Sequence, residues 1–171
     1  MINFEALELN LDELRIKYLT AQPFPHLIID NFCDEEKLNI AYNSIPELNN
    51  KSRDYAFANN KFEKSNYKVI CPELEGLYND LSSDRFNKIL SFITAKKTFV
   101  DPKNFGGGLH QGKKNSFLDM HLDFNYHPLN KNWYRELNLL LYLNKDWKKE
   151  YGGELKIKDL RTNNEAELEV P

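Results

Sequence analysis

Phe117-Leu118-Asp119-Met120-His121-Leu122-Asp123-Phe124-Asn125 is the stretch on which the reading of this sequence turns. From Leu118 onward apolar and polar residues alternate, the period of a strand with one apolar face. Side chains two apart on a strand point the same way, so Asp119, His121 and Asp123 are expected to share the polar face. One imidazole and one carboxylate side by side supply two of the three ligands of a 2-His-1-carboxylate facial triad, which leaves iron positions open for substrate and oxygen. His121 and Asp123 are therefore the candidate metal ligands. A bare His-x-Asp also fits a strand whose outer face is merely polar, so the weight falls on the sequence around it.

The chain of 171 residues is of single-domain size and should bury roughly 70% of the surface its unfolded form exposes. It is 41% hydrophobic and 29% charged, with 11 Phe and 9 Tyr, a composition of folded rather than disordered proteins. A net charge of −3 argues against nucleic acid as a partner, because no basic excess exists to neutralise phosphates. Cys33 and Cys71 form no Cys-x-x-Cys pair, so idle thiols in a reducing compartment are expected. The N-terminus lacks the basic start and apolar run of a signal peptide, and no apolar run approaches the ~20 residues of a membrane span. A cytoplasmic location without membrane partners is the expectation.

Outward from the central stretch, the first half of the chain has helical periods. Asn10 and Glu13 have capping-box spacing for a helix ending at Thr20. His26 to Asp30 is short and branched and reads as a strand, in which His26 is a surface or structural residue. Asp34-Glu35-Glu36 suits a helix N-terminus, and Leu38, Ala41, Tyr42 and Ile45 share one face of a helix that stops at Pro46. Residues 47–68 show no lasting period and read as loop with short strand pieces. Leu74, Leu77, Tyr78 and Leu81, then Phe86, Ile89, Leu90 and Ile93, fall at i, i+3, i+4, i+7. Pro72 suits the first turn of one helix, and Ser83 or Asp84 can cap the other.

After Asp101-Pro102 strands with turn signals take over. Gly106-Gly107-Gly108 is no phosphate loop, since it lacks the Lys-Ser/Thr ending; a bulge or close backbone approach fits better. Leu109 to Phe124 reads as a hairpin turning at Gly112 to Asn115. His110 would then lie opposite Phe117, several residues short of His121, in a pocket wall rather than as a ligand. Residues 124–133 read as a polar loop and Leu137 to Leu143, broken by Asn138, as a strand buried on both faces. Glu154 to Lys158 and Ala166 to Val170 read as further strands around a turn at Thr162-Asn163-Asn164. Gln111, Asn125 and Arg135 are the candidate substrate-pocket residues.

Taken together, several runs resemble the prolyl-4-hydroxylase-like branch of the Fe(II)/2-oxoglutarate-dependent oxygenases. They are Pro23-Phe24-Pro25-His26, Ile29-Asp30-Asn31-Phe32, the stretch from Phe117 to Asn125, Arg135 to Trp147 and Tyr151-Gly152-Gly153-Glu154-Leu155. The resemblance spans Pro23 to Asp159 and implies an α+β fold, with N-terminal helices packed on a double-stranded β-helix (jelly roll) that lacks its last strands. Residues 1–98 would form a mainly helical support region and 99–171 the jelly-roll strands of one incomplete domain. The resemblance also implies that His121 and Asp123 are the first two iron ligands. It implies Fe(II) as cofactor, 2-oxoglutarate and O2 as cosubstrates and ascorbate as an auxiliary. The reaction would couple oxidative decarboxylation of 2-oxoglutarate to hydroxylation of a prolyl or other C–H substrate.

The family takes a third ligand, a His, and then a basic residue for the distal carboxylate of 2-oxoglutarate from later strands. No His follows His127 here, and the last Arg, Arg161, comes before the place expected for that His. His127 lies in a loop that local geometry carries away from the pair. The expectation is a C-terminally truncated oxygenase, inactive and aggregation-prone by itself because its sheet edges lie open. A non-catalytic, cupin-like jelly-roll binding module is the alternative, and a hydrolase using His121 with Asp119 or Asp123 a third reading. Incubation of the purified 171-residue chain with Fe(II) and 2-oxoglutarate should yield no succinate; turnover would refute the expected inactivity.

Overall fold

The computed structural model describes residues 1–49 and 57–168. Six α-helices and six strands occur among them, and all the helices precede Ala95. The helices are α1 (Phe4–Leu9), α2 (Leu11–Thr20), α3 (Glu35–Ser44), α4 (Tyr67–Ile70), α5 (Glu75–Leu81) and α6 (Asp84–Thr94). The strands are β1 (Ala58–Lys64), β2 (Leu109–Leu118), β3 (Tyr126–His127), β4 (Asn130–Tyr134), β5 (Leu155–Lys158) and β6 (Glu165–Leu168).

Helix positions follow from local sequence. Asp34 accepts a hydrogen bond from the Lys37 amide at 2.9 Å and starts α3, and Ser83 Oγ accepts one from the Phe86 amide at 3.1 Å and starts α6. Each satisfies an amide that the first helical turn would leave orphaned. Pro72 opens a 3-10 turn that leads into α5. Asn10 does not cap α2: its side-chain amide instead donates to Ala6 O at 2.8 Å, closing α1. The predicted capping box is therefore corrected, because two short helices meet at Asn10 and its side chain serves the first.

The main core lies among the helices. Phe86, Ile89, Leu90 and Ile93 of α6 are buried with Leu74, Leu77, Ala41, Leu14, Leu7 and Ile2. Cys33 and Cys71 are buried free thiols, and burial pushes the Cys33 thiol up to about 11. Such thiols are protonated and inert at neutral pH. His26 to Asp30 is not a strand; the backbone pairing near it is a single antiparallel bridge between Ile2 and Cys33. No helix among the described residues is long and apolar enough to cross a membrane.

The strands pair two by two, all antiparallel: β1 with β2, β3 with β4, β5 with β6. Helices with three small antiparallel sheets are compatible with the expected α+β class. The hairpin predicted inside 109–124 does not form: the segment on either side of Gly112 to Asn115 pairs with β1 instead, and those residues make an irregularity in the register between Lys61↔Gly112 and Asn59↔Phe117. His110 lies opposite Glu63 and Phe117 opposite Asn59. The predicted loop at 124–133 contains the small β3–β4 hairpin, and β5 and β6 overlap the strands expected from the alternation, the end of the second, at Val170, lying outside the described residues. Leu137 to Leu143 is not a doubly buried strand: it pairs with no described strand, and Leu140 is 56% exposed. An apolar run reads the same whether or not a partner strand covers it.

The glycines before β2 do allow close approach. A Cβ on Gly108 would sit 2.7 Å from Lys64 O, inside van der Waals contact. Beside it Leu48, Phe62 and Leu109 form a second buried cluster under the ribbon. Phe86, only 2% exposed and edge-on to Phe32 at 5.9 Å, anchors the main core. Phe86→Ala should lower unfolding free energy by about 3–5 kcal/mol in urea titration, through lost burial and a residual cavity.

Candidate metal centre

The strand predicted for Phe117 to Asn125 ends at Leu118, and residues 119–125 run as irregular chain. Strand alternation therefore does not align His121 with Asp123; local hydrogen bonds do. The Asp119 amide donates to Phe57 O at 2.8 Å, carrying the β1–β2 pairing one step past the strand ends. His121 Nδ1 lies 2.8 Å from the Asp119 carbonyl. A carbonyl oxygen only accepts, so Nδ1 carries a proton, and in the neutral ring the lone pair then lies on Nε2. The Phe57 ring stacks on the imidazole at 5.4 Å between centroids, 23° from parallel.

Nε2 of His121 faces Asp123 Oδ1 at 3.8 Å. That separation is within the span of two bonds from one first-row metal ion, at about 2.1 Å each. The two side chains are 34% and 41% exposed, so a small ligand reaches them from solvent. The other carboxylate oxygen, Oδ2, accepts a hydrogen bond from Asn138 Nδ2 at 2.7 Å and lies 3.4 Å from Arg135 Nη2. Arg135 also donates to Asn138 Oδ1, lays its guanidinium over the Phe124 ring at 4.5 Å, and donates its backbone amide to Asn125 O at 2.7 Å.

Of the pocket residues expected from sequence, Arg135 is thus brought to Asp123, and Asn125 joins it through its backbone. Gln111 is not: its amide donates to Pro46 O at 2.9 Å and its carbonyl accepts from the Leu48 amide at 2.7 Å. That side chain ties the segment after α3 to the ribbon. Asp119 contributes its backbone rather than its carboxylate. Asn138 and Phe57 escaped the sequence reading. Asn138 left one trace, as the amide interrupting the run from Leu137 to Leu143; Phe57 left none.

In donor type and spacing, His121 and Asp123 fit two positions of a metal centre. Among the described residues no group of three or more His, Cys, Asp or Glu is placed to hold a metal ion. His127 is committed elsewhere. It is 9% exposed, its Nδ1 accepts from the amides of Leu129 and Asn130 at 3.1 and 3.0 Å, and its Nε2 lies 3.4 Å from Asp101 Oδ2. Phe105 and Trp133 pack edge-on against its ring at 5.1 and 5.5 Å. This histidine clips together the β3–β4 hairpin and the loop before β2.

With that geometry in place, comparison with known proteins gives one match. Residues 107–171 match the sequence model of the 2OG-Fe(II) oxygenase superfamily. The matched segment contains His121, Asp123, Arg135 and Asn138. No curated protein and no solved structure matches the chain.

Asp101 shows how the clip responds to pH. Burial alone would raise its carboxyl pKa, but hydrogen bonds from the amides of Lys103 and Phe105 and the neighbouring His127 ring outweigh burial and hold it below the usual value. A depressed carboxylate contributes stability above its unfolded pKa of about 4, and loses it as pH falls through the folded value. Urea midpoints measured downward from neutral pH should therefore fall less steeply below about pH 4 in Asp101→Asn than in wild type.

Proposed function

We propose that this chain carries the iron-binding end of a 2-oxoglutarate-dependent dioxygenase of the prolyl-4-hydroxylase-like branch, hydroxylating a prolyl or other C–H substrate. The observation that carries the reading is the approach of His121 Nε2 to Asp123 Oδ1 at 3.8 Å inside the segment that matches the oxygenase superfamily. Neither the match nor the geometry depends on the other. The antiparallel pairing of every described strand is compatible with the jelly roll that such enzymes use.

When bound, Fe(II) and 2-oxoglutarate would supply the oxidation itself, and the protein's part is to bind, orient and shield. His121 offers a neutral nitrogen because the Asp119 carbonyl holds its proton on Nδ1. Asp123 offers Oδ1, the oxygen turned toward His121. The Phe57 ring covers one face of the imidazole and limits its rotation. The exposed remainder of the site leaves room for cosubstrate and substrate.

The test is a titration of the purified chain with Mn(II), a redox-stable stand-in for Fe(II). Wild type should bind a single ion, and His121→Ala and Asp123→Ala should each abolish binding, because either change leaves one protein donor. Binding by either variant with wild-type affinity would overturn the assignment.

A further inference from the structure

The two oxygens of Asp123 have different surroundings. Oδ1 faces His121 Nε2, whereas Oδ2 is held by the Asn138 amide at 2.7 Å and approached by Arg135 Nη2 at 3.4 Å. Asn138 is fixed in turn, because its own side-chain oxygen accepts from Arg135. Arg135 is anchored by its backbone bond to Asn125 O and by the Phe124 ring beneath its guanidinium. The Asn138 amide group therefore has one orientation open to it: oxygen toward the guanidinium, N–H toward the carboxylate.

We propose that Asn138, braced by Arg135, is a positioning residue that occupies Oδ2 of Asp123, so that the carboxylate presents Oδ1 alone beside His121. The inference rests on the metal-site reading above and adds an oriented carboxylate to it. Residues 119–125 have no strand ladder to fix their side chains. Without the clamp the Asp123 carboxylate could rotate and offer either oxygen, or both, to an ion. Partners behind a metal ligand act in this way elsewhere, and their removal typically weakens metal affinity by about 10–100-fold.

The experiment compares Mn(II) binding and the Mn(II) electron paramagnetic resonance spectrum of wild type, Asn138→Ala, Asn138→Gln and His121→Ala, with thermal unfolding as a control on folding. Asn138→Ala is expected to bind Mn(II) about 10–100-fold more weakly, with an altered spectrum and an unchanged unfolding midpoint. Asn138→Gln, which keeps the amide donor, should recover part of the affinity and the wild-type line shape. Should Asn138→Ala unfold, Arg135→Lys carries the same comparison, because a single ammonium cannot brace Asn138 and face Asp123 in the guanidinium's planar geometry.

Loss of binding in His121→Ala together with wild-type affinity and spectrum in Asn138→Ala would overturn the clamp and leave the metal site standing. Wild-type binding by His121→Ala would overturn both.

Discussion

The pairing of β1 with β2 is the constraint on which the rest of the candidate site depends. It joins chain segments that are far apart in sequence, setting Phe62 opposite Gln111 and Ala58 opposite Leu118. The entropy of closing so long a loop grows only slowly with its length, so a modest gain at the ends suffices. That gain comes from the ladder itself and from Leu48, Phe62 and Leu109, buried beneath it. Gly108 lets the two backbones come together where any larger residue would meet Lys64 O. Beyond the strand ends the Asp119 amide still reaches Phe57 O, and this bond seats the His121 ring against Phe57.

Two histidines in the same region then take opposite roles, and their surroundings explain the difference. His127 is buried, spends Nδ1 on two backbone amides and turns Nε2 to a carboxylate. Every polar atom of that ring is directed inward, so it serves the fold. His121 spends Nδ1 on a carbonyl and turns Nε2 toward Asp123. The chemistry of the side chain is the same, and the number of backbone donors around it decides its use.

The ion pair between Arg135 and Asp123 is partly exposed, and exposed pairs add little to stability. Its importance is directional. A planar guanidinium packed on Phe124 and bonded to Asn138 restricts the carboxylate more than a flexible ammonium would. A carboxylate oriented in this way suits the proposed metal site, which is borne on irregular chain where regular secondary structure supplies no fixed side-chain direction. The helical core, by contrast, is held by apolar burial around Phe86 and contributes no side chain to the His121–Asp123 pair.

Sequence alone determined α2, α3, α5 and α6 closely, since apolar spacing and the caps at Asp34 and Ser83 act within a few residues, while the short α4 fell at the end of a stretch read as loop. It also marked His121 and Asp123 as a pair, and Gly108 as a place of close approach. It misassigned His26 to Asp30, the hairpin at Gly112 to Asn115 and the run from Leu137 to Leu143, because whether an extended segment becomes a strand depends on a partner elsewhere in the chain. Gln111 looked like a pocket residue until the backbone of Pro46 and Leu48 claimed it, and Asn138 looked like an interruption until Asp123 met it. A local code writes helices and names chemically apt residues. Only the tertiary structure decided which carboxylate oxygen is held, which ring nitrogen is free and which strand completes the ribbon, since each depends on groups that meet only when distant parts of the chain pack together.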